Sequence, residues 1–245
     1  MELMQPGERL DDLQLAGMRI LQKEAGFRFG MDAVLLADFA RVEECDTVAD
    51  FGTGTGILPV LLRGRGKGKT IHAFEIQPDM ADMARRTMVL NGLDECVAVH
   101  SLPVEDALKV LTPCSVDAIV CNPPYGLPGT TLQNPSDTLR LARHQTSEGL
   151  KAWLIMAFRL LRGKGRLSVV YPAPRMLEMM QAMEQAHLTP KRFRLIYPAA
   201  HKAANLVLIE AVKDAKPMLH PEPPLIVYEA DGSMTPELKR IYHME

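Results

Sequence analysis

Residues 50–56 read Asp50-Phe51-Gly52-Thr53-Gly54-Thr55-Gly56, a glycine-rich run at the end of an apolar stretch that begins at Thr47. The apolar stretch predicts a buried strand, and the glycines allow a tight turn before a helix that we expect to begin near Ile57. A strand, a glycine-rich turn and a helix in this order are typical of a nucleotide-binding α/β fold. The third glycine comes one residue earlier than in the dinucleotide fingerprint, so the spacing favours a ligand without a pyrophosphate over NAD.

Acidic side chains flank this run in a way that suits such a ligand. Asp50 precedes the glycines and is expected to hold an ammonium group, while an amino acid tail lies against the bare backbone at Gly52 and Gly54. The next predicted strand, residues 70–76, carries Glu75 near its end, about 20 residues beyond the glycine loop. A carboxylate at that place can accept hydrogen bonds from both hydroxyls of a ribose, whereas the plainer interpretation is a solvated strand end.

A second informative run ends the predicted strand 117–122 and reads Asn122-Pro123-Pro124-Tyr125. An amine nitrogen conjugated to a planar system is a poor nucleophile because its lone pair is delocalised. The side-chain oxygen of Asn122 and the main-chain carbonyl of Pro123 can each accept one amine hydrogen, which localises the lone pair. The two prolines fix the loop, and Tyr125 offers a ring on which a base could stack. The plainer interpretation is a strand end with no further role.

Together these runs resemble the class I S-adenosylmethionine-dependent methyltransferases, and Asn-Pro-Pro-Tyr resembles the branch that methylates planar amino groups. The segment 26–37 adds an aromatic-glycine entry into a helix that we expect Asp32 to cap. Alone, this segment reads equally well as an amphipathic helix that covers a sheet. In this order it resembles the amino-terminal signature of bacterial adenine-N6 methyltransferases that act on valine tRNA at adenosine 37, beside the anticodon. The resemblance covers roughly residues 8–243 and includes Ala142-Arg143-His144 and the segment 202–209.

The resemblance implies a function, a cofactor and a set of site residues. It implies S-adenosylmethionine-dependent N6-methylation of an adenine in RNA, most directly the adenosine at position 37 of a valine tRNA. Glu105 and Asp106 follow the third predicted strand, where the family commonly places a group against the cofactor's adenine amine. The residues implied to bind the cofactor are Phe29, Asp32, Asp50, Gly52, Thr53, Gly54, Gly56, Glu75, Ile76, Glu105, Asp106 and Asn122. The residues implied to act in catalysis are Asn122, Pro123, Pro124 and Tyr125.

The length and patterning of the chain predict one α/β domain. A chain of 245 residues with 47% hydrophobic residues can bury one substantial core. Strands and helices alternate over residues 47–213, which predicts a doubly wound, Rossmann-like sheet of seven strands. The link between the predicted strands 192–198 and 205–213 is too short for a helix, so the last strand is expected to run antiparallel. We expect a helical extension at 1–46, a catalytic core at 47–213 and a tail at 214–245 packed on the domain.

Charge limits how the chain could hold RNA. With a net charge of −2, the chain cannot hold nucleic acid through an overall positive charge. Any RNA contact must therefore come from a local group of basic residues. Arg140, Arg143 and Lys202 are the candidates, because they lie on loops after predicted strands, where ligands bind in such sheets. The basic run 63–69 is expected to be a solvated turn at the opposite edge.

Residue spacing also limits cofactors and location. The four cysteines and seven histidines fit no metal-binding motif, so we expect reduced thiols and no metal. No apolar run in the sequence is long enough to span a bilayer, and the first twelve residues lack the pattern of a signal peptide. We therefore expect a cytoplasmic protein.

Two other functions fit parts of the sequence. Glutamine methylation of a protein such as a translation release factor would use the same pair of acceptors, Asn122 and Pro123, to clamp an amide nitrogen. Those enzymes, however, carry a helical substrate domain before the glycine loop. About 46 residues precede the first predicted strand here, fewer than a separate domain of ordinary size. A non-catalytic scaffold with the same fold would be expected to lose Asn122 or the glycines, and this chain keeps both.

Overall fold

The computed structural model describes residues 3–24, 30–123 and 147–244. The strands are β1 (Glu8–Asp12), β2 (Arg19–Lys23), β3 (Thr47–Phe51), β4 (Thr70–Phe74), β5 (Val97–His100), β6 (Val116–Cys121), β7 (Leu161–Pro172), β8 (Leu188–Ala199), β9 (Leu206–Lys213), β10 (His220–Pro221) and β11 (Leu225–Tyr228). The helices are α1 (Met31–Phe39), α2 (Ile57–Gly64), α3 (Pro78–Leu90), α4 (Ser147–Leu160), α5 (Met176–Gln185) and α6 (Pro236–Ile241). Short 3-10 helices lie at Val104–Lys109 and Ala173–Arg175.

The central sheet has the strand order β10-β8-β9-β7-β6-β3-β4-β5, and β11 also pairs with β8. Strands β3 to β7 are parallel to their neighbours within this group, whereas β9 is antiparallel to both β7 and β8. The six residues between β8 and β9 leave no room for a crossover helix, which forces this reversal. The predicted α/β sheet of seven strands with an antiparallel last strand is confirmed, and the tail adds β10 and β11 to its edge.

Two apolar clusters cover the two faces of the sheet. One cluster joins α1, α2 and α3 to the sheet and includes the tail residues Leu225, Val227, Leu238 and Ile241. The other joins α4 and α5 to the opposite face. The tail therefore completes the core beside α1. Its last helix is capped at Thr235, whose hydroxyl accepts a hydrogen bond from the Leu238 amide at 3.3 Å.

The segment before the first core strand differs from the predicted helical extension. It contains the antiparallel hairpin β1–β2 ahead of α1. The Asn91 side chain accepts from the Arg19 amide at 2.8 Å and donates to the Arg19 carbonyl at 2.7 Å, so a side chain on the turn after α3 pairs with the edge of the hairpin. Ile20 and Leu21 are fully buried. This prediction was wrong because the extended conformation depends on contacts with α3, which lies about 70 residues later in the chain.

The basic run 63–69 is tied into the fold more firmly than a solvated turn would be. The Lys67 ammonium donates to the carbonyls of Ala37 at 2.9 Å and Ala40 at 2.8 Å, and so caps the carboxyl end of α1. Arg65 donates to the Ile241 carbonyl at 2.7 Å, which links the run to the tail. These cations satisfy backbone acceptors at helix ends.

Candidate active site

Three strand ends meet at one edge of the sheet. Phe51 at the end of β3 lies beside Phe74 of β4 and beside Cys121 of β6 in the strand register. The residues that follow these three ends are Gly52, Glu75 and Asn122, so the glycine loop, the acidic residue and the Asn-Pro loop leave the sheet side by side. Ligands bind at the carboxyl edge of a doubly wound sheet, which makes this edge the candidate site.

The glycine loop adopts a conformation that requires its glycines. Gly52, Gly54 and Gly56 have φ angles of +74°, +57° and +89°, in the left-handed region that strains other residues. The amides of Gly52 and Thr53 both donate to the Phe74 carbonyl, at 3.0 and 2.9 Å, which draws the loop over the end of β4. Gly56 then forms the amino-terminal cap position of α2.

The atoms around each glycine show which of them are needed for close packing. A Cβ at Gly56 would lie 2.6 Å from Met88 Cε, and one at Gly52 would lie 3.0 Å from the Trp153 ring, so both glycines allow close packing. A Cβ at Gly54 would meet no described atom within 4 Å. Gly54 is therefore the part of the loop whose backbone faces open space, whereas Gly52, also predicted to lie against a ligand, faces a tryptophan.

Asp50 is a buried acid at the penultimate position of β3, just before the loop. It has no exposed surface, and neither carboxylate oxygen has a hydrogen-bond partner among the described residues. Burial raises the pKa of this carboxyl from 3.8 to about 7, the Thr53 hydroxyl lowers it in part without forming a well-aligned hydrogen bond, and the charge of Glu75 raises it further. A buried carboxylate without a partner is costly unless a ligand supplies the counter-charge. Asp50 and the glycine loop 52–56, together called the cradle below, thus fit a ligand that carries an ammonium group.

Glu75 closes the loop from the neighbouring strand end. Its Oε2 accepts from the Gly54 amide at 2.9 Å and its Oε1 accepts from the Gln77 amide at 2.9 Å. The strand β4 ends at Phe74, so Glu75 lies just outside the sheet. Glu75 therefore holds the backbone at Gly54 in place beside the end of β4.

Asn122 is held by a residue far away in the sequence. Its Nδ2 donates to Asp32 Oδ2 at 3.1 Å, and Asp32 Oδ1 accepts from the Ala33 amide at 2.9 Å. The predicted capping role of Asp32 is wrong, because α1 begins at Met31 and its cap position is Gly30, with no side-chain cap. Asp32 lies two residues beyond the cap position, and its carboxylate contacts Asn122 of the Asn-Pro loop instead.

Trp153 is a component of the site that the sequence analysis missed. It lies on α4, and its ring packs edge-on against Phe51 with ring centroids 6.2 Å apart. It lines a small apolar pocket with Cys121 and Pro123, beneath both loops. The signal available in the sequence was that Trp153 is the single tryptophan of the chain.

The other predicted site residues fall into three groups. Asp106 lies in the 3-10 helix after β5 and pairs with Lys109 at 2.8 Å, Glu105 beside it is exposed, and Ile76 is half-buried. Lys202 is exposed on the loop between β8 and β9, at the same edge as Asn122. The predicted residues that lie outside the described part of the chain are Phe29, Pro124, Tyr125, Arg140 and Arg143.

A second concavity, of about 340 Å³, lies at the opposite edge of the sheet between the end of α1 and the start of β8. Its most buried cation is Arg192, which donates to Glu210 at 2.9 Å and to Glu222 at 2.7 Å and stacks on the Phe39 ring. Burial lowers the pKa of Arg192, but these carboxylates outweigh it and the net pKa is raised. Because Arg192 pairs with carboxylates and Lys67 binds backbone carbonyls, the cations of this concavity serve the structure.

Two classes of site are not found in the described part of the chain. No helix there is both long and apolar enough to cross a membrane. The same residues form no group of three or more histidine, cysteine, aspartate or glutamate side chains that could hold a metal ion.

The sheet order with its antiparallel strand is that of a class I methyltransferase. A predicted O-methyltransferase from Agrobacterium tumefaciens has the same fold, with a TM-score of 0.70 and 23% identity over 87% of this chain and 96% of the other. The chain belongs to the methyltransferase small domain family, which matches residues 30–191.

Relatives of similar length carry a more specific name. A tRNA1(Val) (adenine(37)-N6)-methyltransferase of Porphyromonas gingivalis is 26% identical over 90% of this chain and 89% of its own length. The enzyme of the same name from Aliivibrio salmonicida is 29% identical over 84% of this chain and 86% of its own length. The resemblance to this group is confirmed.

Proposed function

We propose that this methyltransferase transfers a methyl group from S-adenosylmethionine to the N6 amine of an adenine in RNA, at adenosine 37 of a valine tRNA. The observation that carries the proposal is the Asn122 amide, held by Asp32 at the edge where the glycine loop and Asp50 meet. The names of the relatives from Porphyromonas gingivalis and Aliivibrio salmonicida support the choice of tRNA and of the adenosine.

The residues of the cradle fit the methyl donor. When bound, S-adenosylmethionine supplies a methyl group on a positively charged sulfur. Asp50 would hold its ammonium group, which gives the buried carboxylate the partner it otherwise lacks among the described residues. The backbone at Gly54 would contact its amino acid tail, and Glu75 would accept hydrogen bonds from its ribose hydroxyls. Asp106 and Glu105 are the candidates for the adenine amine.

The clamp at Asn122 explains how an unreactive amine could be methylated. The Asn122 side-chain oxygen and the Pro123 carbonyl would each accept one hydrogen of the adenine amine, so that the nitrogen becomes more tetrahedral and its lone pair is localised. The amine becomes acidic only after it is alkylated, so a base is not required before attack. The rate enhancement then comes from positioning and from exclusion of water. Pro124 and Tyr125 would complete the clamp and stack on the base.

The substrate contacts must be local because the net charge of the chain is −2. Lys202 supports such a contact, since it is exposed on the loop after β8 at the carboxyl edge. Arg140 and Arg143 are proposed for the same role. Two other basic residues, Lys67 and Arg192, already bind a backbone carbonyl and a carboxylate, respectively. They are therefore weaker candidates for contacts with RNA phosphates.

The experiment that tests the proposal measures transfer of labelled methyl groups to total RNA and to total protein from a strain that lacks this gene. We expect label in the tRNA fraction, recovered as N6-methyladenosine after digestion to nucleosides. The Asn122→Ala protein serves as the matched control and should give little label. Label recovered on protein alone, as methylglutamine, would replace RNA with a protein substrate, and no label on either would favour a non-catalytic scaffold.

A further inference from the structure

We infer that Asp32 is a positioning residue that fixes which way the side-chain amide of Asn122 faces. The inference rests on the proposed function for its catalytic meaning, but the contact itself joins described residues. Asn122 and Asp32 are 90 residues apart in the chain and meet through a hydrogen bond of 3.1 Å between Nδ2 and Oδ2. Asp32 would therefore act on the substrate amine through Asn122.

The chemistry of the two groups selects one orientation of the amide. An ionised carboxylate only accepts hydrogen bonds, so the nitrogen of the Asn122 amide faces Asp32 and its oxygen faces away. An adenine amine donates hydrogen bonds, so it requires that oxygen. A flipped amide would present N–H groups to the amine and leave its own oxygen against the carboxylate. Asp32 thereby excludes the orientation that cannot hold the substrate.

Asp32 is itself held in place by the first turn of α1. Its Oδ1 accepts from the Ala33 amide at 2.9 Å, and a carboxylate is favoured at the amino end of a helix. The next residues of α1, from Ala33 to Ala37, are all buried in the core, so the helix cannot move without disturbing that packing. The carboxylate therefore has a fixed base from which to orient Asn122.

Gly30 supplies independent evidence that the space around this carboxylate matters. A Cβ at residue 30 would lie 2.7 Å from Asp32 Oδ1, closer than the two atoms can approach. The φ angle of Gly30 is −100°, which any residue adopts, so the backbone conformation does not require glycine. An alanine at this position would leave the carboxylate present but push it away from its site.

Four variants test the inference in the full-length protein. Asp32→Ala removes the acceptor, Gly30→Ala displaces it, and Asp32→Asn keeps an acceptor oxygen without the charge. Asp38→Asn, at an exposed position near the other end of α1, is the matched control. For each variant we would measure kcat and KM for tRNA methylation, and the Kd for S-adenosylmethionine from the fluorescence of Trp153, the single tryptophan, which lies against Gly52.

The expected result is a loss in kcat at nearly constant cofactor affinity. Asp32→Ala should lower kcat about 10- to 100-fold, the effect of losing one charge-assisted hydrogen bond, with the Kd changed less than about threefold. Gly30→Ala should lower kcat in the same direction, Asp32→Asn should be intermediate, and Asp38→Asn should match the wild type. A Kd that rises as steeply as kcat falls would make Asp32 a direct cofactor contact and overturn the inference.

A measurement without substrate separates this inference from the proposed function. The side-chain amide of Asn122 gives a pair of ¹⁵N–¹H resonances, which the Asn122→Ala protein identifies by their absence. We expect those resonances to shift in Asp32→Ala and Gly30→Ala but not in Asp38→Asn. Unchanged Asn122 resonances in Asp32→Ala would overturn the contact even if RNA is methylated. A shift in a protein that methylates no RNA would uphold the contact and reject the proposed function.

Discussion

At the scale of single residues, the site depends on two polar side chains in opposite situations. Asp50 is fully buried and its carboxylate lacks a hydrogen-bond partner among the described residues, whereas Asn122 is held through its amide nitrogen by Asp32. The first is a place prepared for a cation, and the second is an acceptor prepared for a donor. The two residues should therefore fail in different ways when they are changed.

The pH dependence of stability should report on Asp50. Its pKa is raised from 3.8 to about 7 in the folded protein, so the folded state keeps a proton that the unfolded chain has released. This stabilisation is complete below the unfolded pKa and is lost as the pH rises through about 7. At ~1.4 kcal/mol per pKa unit it amounts to about 4 kcal/mol. Urea unfolding of the ligand-free protein should give a lower free energy of unfolding at pH 8 than at pH 5. This decrease should be smaller in Asp50→Asn than in the wild type, and equal decreases in the two proteins would refute the assignment to Asp50.

Kinetics should separate binding of the cofactor from handling of the amine. Asp50→Asn keeps the shape of the side chain but removes the charge, so we expect the Kd for S-adenosylmethionine to rise about 10- to 100-fold. Asn122→Ala should lower kcat by at least as much and leave that Kd nearly unchanged, because Asn122 is proposed to clamp the amine. Calorimetric titration and steady-state methylation provide both numbers. Equal losses of kcat and affinity in Asn122→Ala would contradict the clamp.

At the scale of elements, the glycines of the loop meet two requirements, a positive φ and space for close packing. The spacing of glycines in the sequence does not show which glycine meets which requirement. Gly56 needs both a positive φ and space beside Met88, because it begins α2 against α3. Gly54 needs a positive φ but faces open space, and its amide is held by Glu75. Gly56 therefore serves mainly the packing of α2, whereas Gly54 has no packing requirement and is the glycine proposed to contact the ligand.

Alanine at Gly56 should reduce stability more than cofactor binding, whereas alanine at Gly54 should reduce cofactor binding more than stability. Gly56→Ala adds a contact of 2.6 Å to a strained φ and should lower the free energy of unfolding by roughly 2–4 kcal/mol. Gly54→Ala carries about 1 kcal/mol of backbone strain alone, but its methyl group enters the cradle and should weaken binding of S-adenosylmethionine at least tenfold. Thermal unfolding and cofactor titration on both proteins make the comparison. The idea of divided roles fails if Gly54→Ala is the less stable protein.

The hairpin β1–β2 is a further element whose own strand pairing is supplemented by side chains of α3. The Arg86 guanidinium on α3 binds both oxygens of Glu8, at 2.6 and 2.7 Å, and also Asp82 of its own helix. These contacts outweigh burial and raise the pKa of Arg86 above its ordinary range, and the same pair lowers the pKa of Glu8. The hairpin is thus fixed to α3 by a buried ion pair.

At the scale of the whole molecule, the tail packs on α1, the helix whose first turn carries Asp32 beside the candidate site. Leu238 and Ile241 pack in the same core as α1, and Tyr242 follows them toward Asp32. Burial raises the pKa of Tyr242 to about 12, and the charges of Tyr228 and Asp32 contribute to the rise. The helix that carries the positioning residue of the site is therefore covered by the last residues of the chain.

Removing one apolar side chain from the tail should test this coupling. Leu238 is fully buried, so Leu238→Ala should lower the free energy of unfolding by roughly 2–5 kcal/mol. Leu177→Ala is the matched control because Leu177 is 66% exposed, and it should change stability by less than ~0.5 kcal/mol. Chemical denaturation of both proteins measures the difference. Similar stabilities would mean that the tail is not part of the core.

The sequence by itself determined the alternation of strands and helices, the antiparallel last strand and the edge at which the site lies. These features follow from local apolar runs, turn residues and link lengths, and parallel strands bring the residues after them to one edge whatever the details of packing. The predicted positions of Asp50, Gly54, Glu75 and Asn122 at that edge depended on nothing more. The assignment of their ligands remains the proposal made above.

Only the tertiary structure decided which residues act on those positions. The bond between Asn122 and Asp32, the Trp153 ring against Gly52, the hairpin on α3 and the tail strands beside β8 join residues from about 30 to 100 positions apart. Such contacts depend on how helices pack on the sheet, which one-dimensional patterns do not encode. For the same reason, the lack of a hydrogen-bond partner for Asp50 among the described residues could not be read from its neighbours in the chain, because burial is a property of the whole fold.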